Sequence, residues 1–282
     1  MIPAAFDYVA PASVEEAVAA LASGEDPKVL AGGQSLLPVL RLRMAAPGLL
    51  VDLGRIAELR GVSLAGDRVV IGAMTTHHDV IADATVGQHV PLLVATEKTV
   101  ADAQVRYRGT LGGALVHADP AGDLGAVAVA LDATFQIAGP NGRREVAAAD
   151  FFTDYFTSAV GEDEILVSVT FPSYAGWGAH YEKFNRVAQA WSIVAVAAAV
   201  QVSDGAITAA RVGLTNMGPT PIRATAVEQA LVGGPATAEA IRAAAASAAE
   251  GTAPVDDASA AADYRTHLAK VLTARAVLAA TG

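Results

Sequence analysis

The chain has 282 residues, with 19 basic and 29 acidic side chains and a formal charge of −10. That charge repels polyphosphate and argues against nucleic acid as a partner. The lack of any cysteine removes disulfides, thiol nucleophiles and iron–sulfur ligation from this polypeptide. Hydrophobic residues reach 53%, much of it alanine. Even so, the apolar run at 193–200 falls well short of the roughly 20 residues a bilayer requires. The N-terminal "MIPAAFDYVAPAS" has no basic stretch followed by an apolar block, so a cytoplasmic protein is expected.

In "PASVEEAVAALASG" a helix starts near Ser13, with Glu15 and Glu16 in its acid-preferring first turn. The strand "KVLAGG" follows, then a helix in "SLLPVLRLRM", where Pro38 is tolerated only in the first turn. "LLVDLG" has the pattern of a buried strand. "VSLAGDRVVIGAMTT" reads as a hairpin turning at Gly66-Asp67, and Thr76 caps the helix "HHDVIADA". Residues 91–105 read as helix. "RYRGTLGGALVHADPAGDLGAVAVALDA" reads as a glycine-rich loop leading into an apolar helix capped near Asp119 or Asp123. "ATFQIAGPNGRREV" is a second hairpin, turning at Pro140-Asn141-Gly142. The strand "EILVSVTFP" stops at Pro172.

"SYAGWG" at 173–178 marks a boundary, after which long strands turn at Asp204-Gly205 and give way to alanine-rich helix. In the last helix Tyr264, Leu268, Val271, Leu272, Arg275 and Leu278 fall at helical spacing. The whole reads as an α+β fold with mixed sheets, divided near 1–55, 56–175 and 176–282.

Three stretches carry chemistry. Ala31, Gly32, Gly33, Gln34 and Ser35 put two glycines and a hydroxyl between strand and helix. Glycines allow positive φ and close backbone approach, so N–H groups can gather round an anion. A plain strand-to-helix turn with a serine N-cap explains the same residues, and the stretch alone leaves both open. It is neither G-x-G-x-x-G nor a P-loop. Thr110, Leu111, Gly112, Gly113 and Ala114 repeat the logic, which suggests a ligand with two phosphates or a phosphate–sugar tail. Asp123 suits ribityl or ribose hydroxyls, or serves as an N-cap.

"HYEKFNRVAQAW" sets Lys183 on a strand between Tyr181 and Phe184, with Trp191 after the turn. An aromatic ligand could stack there and the lysine offset negative charge; a half-buried strand with a solvated lysine is the bland alternative. Elsewhere, His77-His78 reads as exposed helix surface, because adjacent histidines on a helix face different ways, and His180 reads as structural. No nucleophile elbow or carboxylate couple stands out. The chain offers a place to hold a cofactor and no evident machinery for breaking bonds.

With these residues in view, the chain resembles the flavin-binding medium subunits of molybdenum hydroxylases. "LAGGQSLLPVLRLRMAAPGLLVDLGRI", "IGAMTTHHDVI", "VRYRGTLGGALVHADPAGDL" and "VGLTNMGPTPIRA" carry the resemblance, in order and from end to end. Within the family, "ADAQVRYRGTLGG" and the opening residues look most like the aerobic carbon monoxide dehydrogenase branch. Related chains serve enzymes acting on aldehydes, nicotine or N-heterocycles.

The resemblance implies a vanillyl-alcohol-oxidase/xanthine-dehydrogenase-type fold, with two N-terminal α+β subdomains around FAD and a C-terminal α+β subdomain. It implies that 31–35 wrap the FAD pyrophosphate, that 110–114 form the second cofactor loop, and that Asp123 holds cofactor hydroxyls. Leu166 would lie against the cofactor and Lys183 near it, with Trp191 where a tyrosine or phenylalanine usually approaches the isoalloxazine. Gln34 and Ala114 depart from the histidine and asparagine frequent in the carbon monoxide group.

The expected role is electron transfer through FAD. The molybdenum cofactor would lie on a large subunit and two [2Fe–2S] clusters on a small one, in a dimer of heterotrimers. Electrons would leave to an external acceptor such as a quinone, with the complex in the cytoplasm or at the inner face of the membrane. The rivals are an independent flavin oxidase and a non-enzymatic nucleotide-binding module.

Overall fold

The computed structural model describes residues 2–282. The chain opens with β1 (Asp7–Val9), α1 (Val14–Ser23), β2 (Pro27–Leu30), α2 (Leu36–Arg41) and β3 (Leu49–Asp52). Ser13 starts α1 by accepting the Glu16 N–H at 3.1 Å, satisfying one of the donors a helix start leaves over. The three strands form a parallel sheet in the order β1-β3-β2.

The next layer begins with the hairpin β4 (Val62–Ala65) and β5 (Arg68–Gly72). Six short helices follow: α3 (His77–Ala82), α4 (Ala84–His89), α5 (Pro91–Glu97), α6 (Ala103–Arg106), α7 (Leu111–His117) and α8 (Asp123–Ala130). Then come β6 (Thr134–Gly139), β7 (Gly142–Ala147), α9 (Ala148–Phe151), the small hairpin β8 (Phe152–Asp154) and β9 (Thr157–Ser158), and β10 (Ile165–Pro172). The antiparallel sheet runs β4-β5-β10-β6-β7. Its core includes the stacked Phe135 and Phe151, ring centres 3.7 Å apart.

The last layer is the antiparallel sheet of β11 (Gly178–Phe184), β12 (Val194–Ser203), β13 (Ala206–Thr215) and β14 (Ile222–Arg223). It is covered by α10 (Thr225–Leu231), α11 (Ala238–Ala245) and α12 (Ala262–Thr281). Strand β12 is buried on both faces over residues 194–200. Ala195, Ala197 and Ala199 face the core of the five-stranded sheet, while Val194, Val196 and Val200 face the C-terminal helices, as the two-residue strand period requires. The small residues let α8 lie almost on the sheet: a side chain at Gly213 would start 2.2 Å from the Ala126 carbonyl oxygen. Asp123 opens α8, so this close seating fixes where its carboxylate emerges.

Four local expectations need correction. Residues 91–105 are not one helix: α5 ends at Glu97, Ala101 adopts φ +42°, and Asp102 caps α6 by accepting the Val105 N–H at 2.8 Å. Gly112 and Gly113 lie inside α7, not in a loop. Asp123 makes no capping bond; Gly122 holds the N-cap position. In α12 the buried face is Arg265, Leu268, Ala269, Leu272, Ala276 and Val277, while Tyr264, Arg275 and Leu278 are exposed. Ala269 and Ala276 let that face sit close on β12, and Tyr264, Arg275 and Leu278 fall on the solvent side of the helix. Among the described residues, no helix is long and apolar enough to cross a membrane.

Candidate functional site

The turn at 31–35 leaves β2 and enters α2. Gly33 adopts φ +75°, where a side chain would be strained. The N–H groups of Gly32, Gly33, Gln34 and Ser35 have no hydrogen-bond partner among the described residues. The Ser35 side chain makes no capping bond, which disposes of the serine-cap reading of this turn. Gln34 folds its amide back onto the Gly32 carbonyl at 3.0 Å. A run of unpartnered donors beside a free hydroxyl is chemically an anion receptor.

The segment 110–114 is built differently. Thr110 caps α7 by accepting the Gly113 N–H at 3.1 Å. The Leu111 N–H donates to Thr75, the Gly112 N–H to Ala73 and the Ala114 N–H to Thr110, at 3.0, 2.8 and 3.1 Å. All four donors are therefore spent within the protein. This segment, with Arg108 and Gly109 just before it, braces the first turn. A side chain at Gly32 would lie 2.2 Å from the Arg108 carbonyl oxygen, and one at Gly113 would lie 3.2 Å from the Ala31 Cβ. Gly32 marks where two backbones touch, and Gly113 where a helix packs on the Ala31 side chain.

Beneath this contact sits His77, which is buried and not on the helix surface as the sequence suggested. Its N–H donates to the Gly109 carbonyl at 3.1 Å. Its Nδ1 is 2.7 Å from Glu97 Oε2, a carboxylate with no exposure at all. Twenty residues separate the two in sequence, so no local pattern reveals the pair. His78 stacks on Tyr107, ring centres 4.0 Å apart.

Asp123 and Lys183, separate in the sequence reading, form one buried cluster. Lys183 Nζ donates to Asp123 Oδ2 at 2.7 Å and to the Thr99 carbonyl at 3.2 Å. Asp123 Oδ1 accepts from the Tyr181 hydroxyl at 2.7 Å and the Ser192 hydroxyl at 2.6 Å. Three donors leave the carboxylate little spare accepting capacity. Burial, with the Asp123 charge next, pushes the Tyr181 phenol well above its ordinary range and keeps it a donor. Tyr181 is thus a buried hydrogen-bonding group and not a stacking platform. That Tyr181 and Lys183 share a strand face follows from their two-residue spacing, whereas their meeting with Asp123 depends on tertiary packing. Ser192 carried no such signal.

Trp191 is 55% exposed, directly beside Ser192. Leu166 is buried in the central core on β10. His180 pairs with Glu182 at 3.0 Å.

Asp119, overlooked as more than a cap, lies between α7 and α8 with Oδ1 accepting the Ala121 N–H at 2.9 Å. Burial raises its carboxyl above the ordinary aspartate range, against the pull of that N–H and of His117. A raised folded-state value means stability is present at low pH and lost as the pH rises through it. Asp119→Asn is therefore expected to raise the melting temperature at pH 7 by a small amount, on the order of 2 °C. The gain should vanish below the pKa of unfolded aspartate, about 3.9, which parallel melts at neutral and acid pH will test.

Residues 4–174 match the family described as the FAD binding domain in molybdopterin dehydrogenase, and 179–280 match the CO dehydrogenase flavoprotein C-terminal domain. The chain belongs to this family of FAD-binding flavoprotein subunits. The carbon monoxide dehydrogenase medium chain of Hydrogenophaga pseudoflava is 43% identical over 99% of this chain and 98% of its own length. That of Afipia carboxidovorans is 39% identical over 98% and 97%. A solved structure of the Hydrogenophaga pseudoflava enzyme, lacking the Mo-pyranopterin moiety of its molybdenum cofactor, matches with a TM-score of 0.96 at 44% identity. It covers 100% of this chain and 99% of that one. The expected flavoprotein fold and family are borne out, with FAD the cofactor of the subunit.

Proposed function

We propose that this subunit transfers electrons through FAD within an aerobic carbon monoxide dehydrogenase, a complex that converts CO and water to CO2. The observation that carries this reading is full-length similarity, without large gaps at either end, to two medium chains of that enzyme. A large molybdenum-binding subunit and a small subunit with two [2Fe–2S] clusters are its partners, in a dimer of heterotrimers. The absence of cysteine from this chain accords with clusters held elsewhere. Bound FAD would supply the redox chemistry that links the clusters to an external acceptor such as a quinone.

This chain's own residues bind and orient that cofactor. The unpartnered N–H groups of Gly32, Gly33, Gln34 and Ser35, with the Ser35 hydroxyl and the backbone at Ala31, fit the oxyanions of its pyrophosphate. Gln34, in place of the family's frequent histidine, shapes the turn through its bond to Gly32. Thr110, Leu111, Gly112, Gly113 and Ala114 hold that turn in place by packing, with Ala114 exposed at the rim. Asp123 holds Ser192 and Lys183 in position, and only its last free lone pair is left for a cofactor hydroxyl. With FAD bound, Lys183 would place its charge close to the ring system, Trp191 would lie against the ring, and Leu166 would back it from the core.

The test is spectral and compositional. Purified chain should show flavin absorbance that is released on denaturation, and should co-purify from its source with subunits bearing molybdenum and iron. That complex should reduce an acceptor with CO as donor. A colourless protein unable to take up added FAD overturns the cofactor reading. A flavoprotein complex inert to CO and active on an aldehyde or N-heterocycle overturns the substrate, and turnover by the lone chain would favour an independent oxidase.

A further inference from the structure

The reading above puts Trp191 over the flavin, yet Trp191 sits in an exposed turn joining β11 to β12. What holds that turn lies in the C-terminal helix. Arg265, in the first turn of α12, is almost completely buried and donates from its guanidinium to the Ile193 carbonyl. Its other terminal nitrogen is 2.6 Å from Asp257 Oδ2. The Asn216 side-chain amide donates to the Ser192 carbonyl at 2.8 Å and to the Ile193 carbonyl at 3.3 Å. The Ile193 N–H donates to the Phe184 carbonyl at 2.8 Å, and the Ser192 hydroxyl donates to Asp123.

Every polar group of residues 192 and 193 is thus held except the Ser192 N–H. Burying a guanidinium is costly, and an apolar side chain would dock α12 on β12 more cheaply. The arginine brings what an apolar group lacks, a rigid donor fork, and aims one arm at the Ile193 carbonyl, two residues beyond Trp191.

We infer that Arg265, together with Asn216, is a positioning residue that fixes the turn bearing Trp191 against the Asp123–Lys183 cluster, and so sets the indole against the flavin. It touches no cofactor itself and acts through two carbonyls. The inference rests on the proposed placement of FAD, and its test separates the two. The chain has two tryptophans, so a Trp177→Phe background leaves Trp191 as the sole indole reporter. In that background Arg265→Met should raise acrylamide quenching of Trp191 in the FAD-free chain at least about twofold, as a turn freed from its ties samples more conformations.

The FAD-loaded variant should keep its flavin stoichiometry and change its visible circular dichroism. Arg265→Lys, which retains a single donor nitrogen, should restore part of both signals. Asn216→Gly, compatible with the φ of +62° at that position, should loosen the same turn from the other side should the arginine variant fail to fold. A lowered melting temperature with unchanged Trp191 quenching and unchanged flavin dichroism overturns the inference, leaving Arg265 merely structural. Trp191→Phe with no effect on flavin dichroism overturns the placement of the ring instead, while the FAD-free quenching still decides the role of Arg265.

Discussion

Replacing Gly32 by valine is expected to cut FAD retention at least tenfold while the chain still folds. The cause is steric. A Cβ at Gly32 would begin 2.2 Å from the Arg108 carbonyl oxygen and 2.6 Å from the Gly109 Cα. Both are backbone atoms and neither can swing aside. The turn at 31–35 must then pull away from its brace, and its four unpartnered N–H groups lose the arrangement that the brace maintains. A tenfold loss corresponds to about 1.4 kcal/mol, within the roughly 1–3 kcal/mol that overpacking costs in close-fitted regions.

Gly113→Val should do less, because its nearest obstacles are side-chain atoms, Thr110 Oγ1 at 2.8 Å and Ala31 Cβ at 3.2 Å. The flavin-to-protein ratio after gel filtration measures both variants, with far-ultraviolet dichroism as the check on folding. Full flavin content in a folded Gly32→Val chain would refute the cradle.

The second large effect concerns the buried ion pair. Asp123→Ala should destabilise the chain by about 3–5 kcal/mol, since it strands the Lys183 ammonium in a site that is nearly closed to water. Lys183→Met should cost a similar amount by stranding the carboxylate. The double variant should be clearly less damaged than the sum of the two, because it leaves no unpaired charge. Denaturant melts of the four proteins complete the cycle, and strict additivity would show that the two charges do not depend on each other.

What could be read from the sequence was what is local. The cap at Ser13, the cap at Thr76 and the turns at Gly66-Asp67 and Asp204-Gly205 all need only neighbouring residues. The glycine pair at 112–113 misled, because it serves close packing, Gly112 against Ala73 and Gly113 against the Ala31 side chain, and contact partners are not written beside a glycine. The break after Glu97 was hidden because 91–105 has good helical composition, while Ala101 and Asp102 turn the chain through backbone geometry and a side-chain cap.

In the site, Asp123 and Lys183 were each marked as candidates, but not as partners sixty positions apart. The His77–Glu97 and Arg265–Asp257 pairs went unseen altogether. Charged side chains usually sit in solvent, and only tertiary packing tells a buried one from the rest. Family resemblance supplied the cofactor, which the residues alone left as an unspecified phosphate ligand.

The cluster at Asp123 also bears on how the chain is made. The carboxylate lies in the first matched region, 4–174, whereas Tyr181, Lys183 and Ser192 lie in the second. During synthesis the N-terminal portion leaves the ribosome with this carboxylate lacking every donor that will hold it. Seating α8 fully at that moment would bury a bare charge, so final closure has to wait until Ser192 has emerged. Nascent chains arrested before residue 192 should accordingly be protease-sensitive around α8, and those arrested well beyond it resistant.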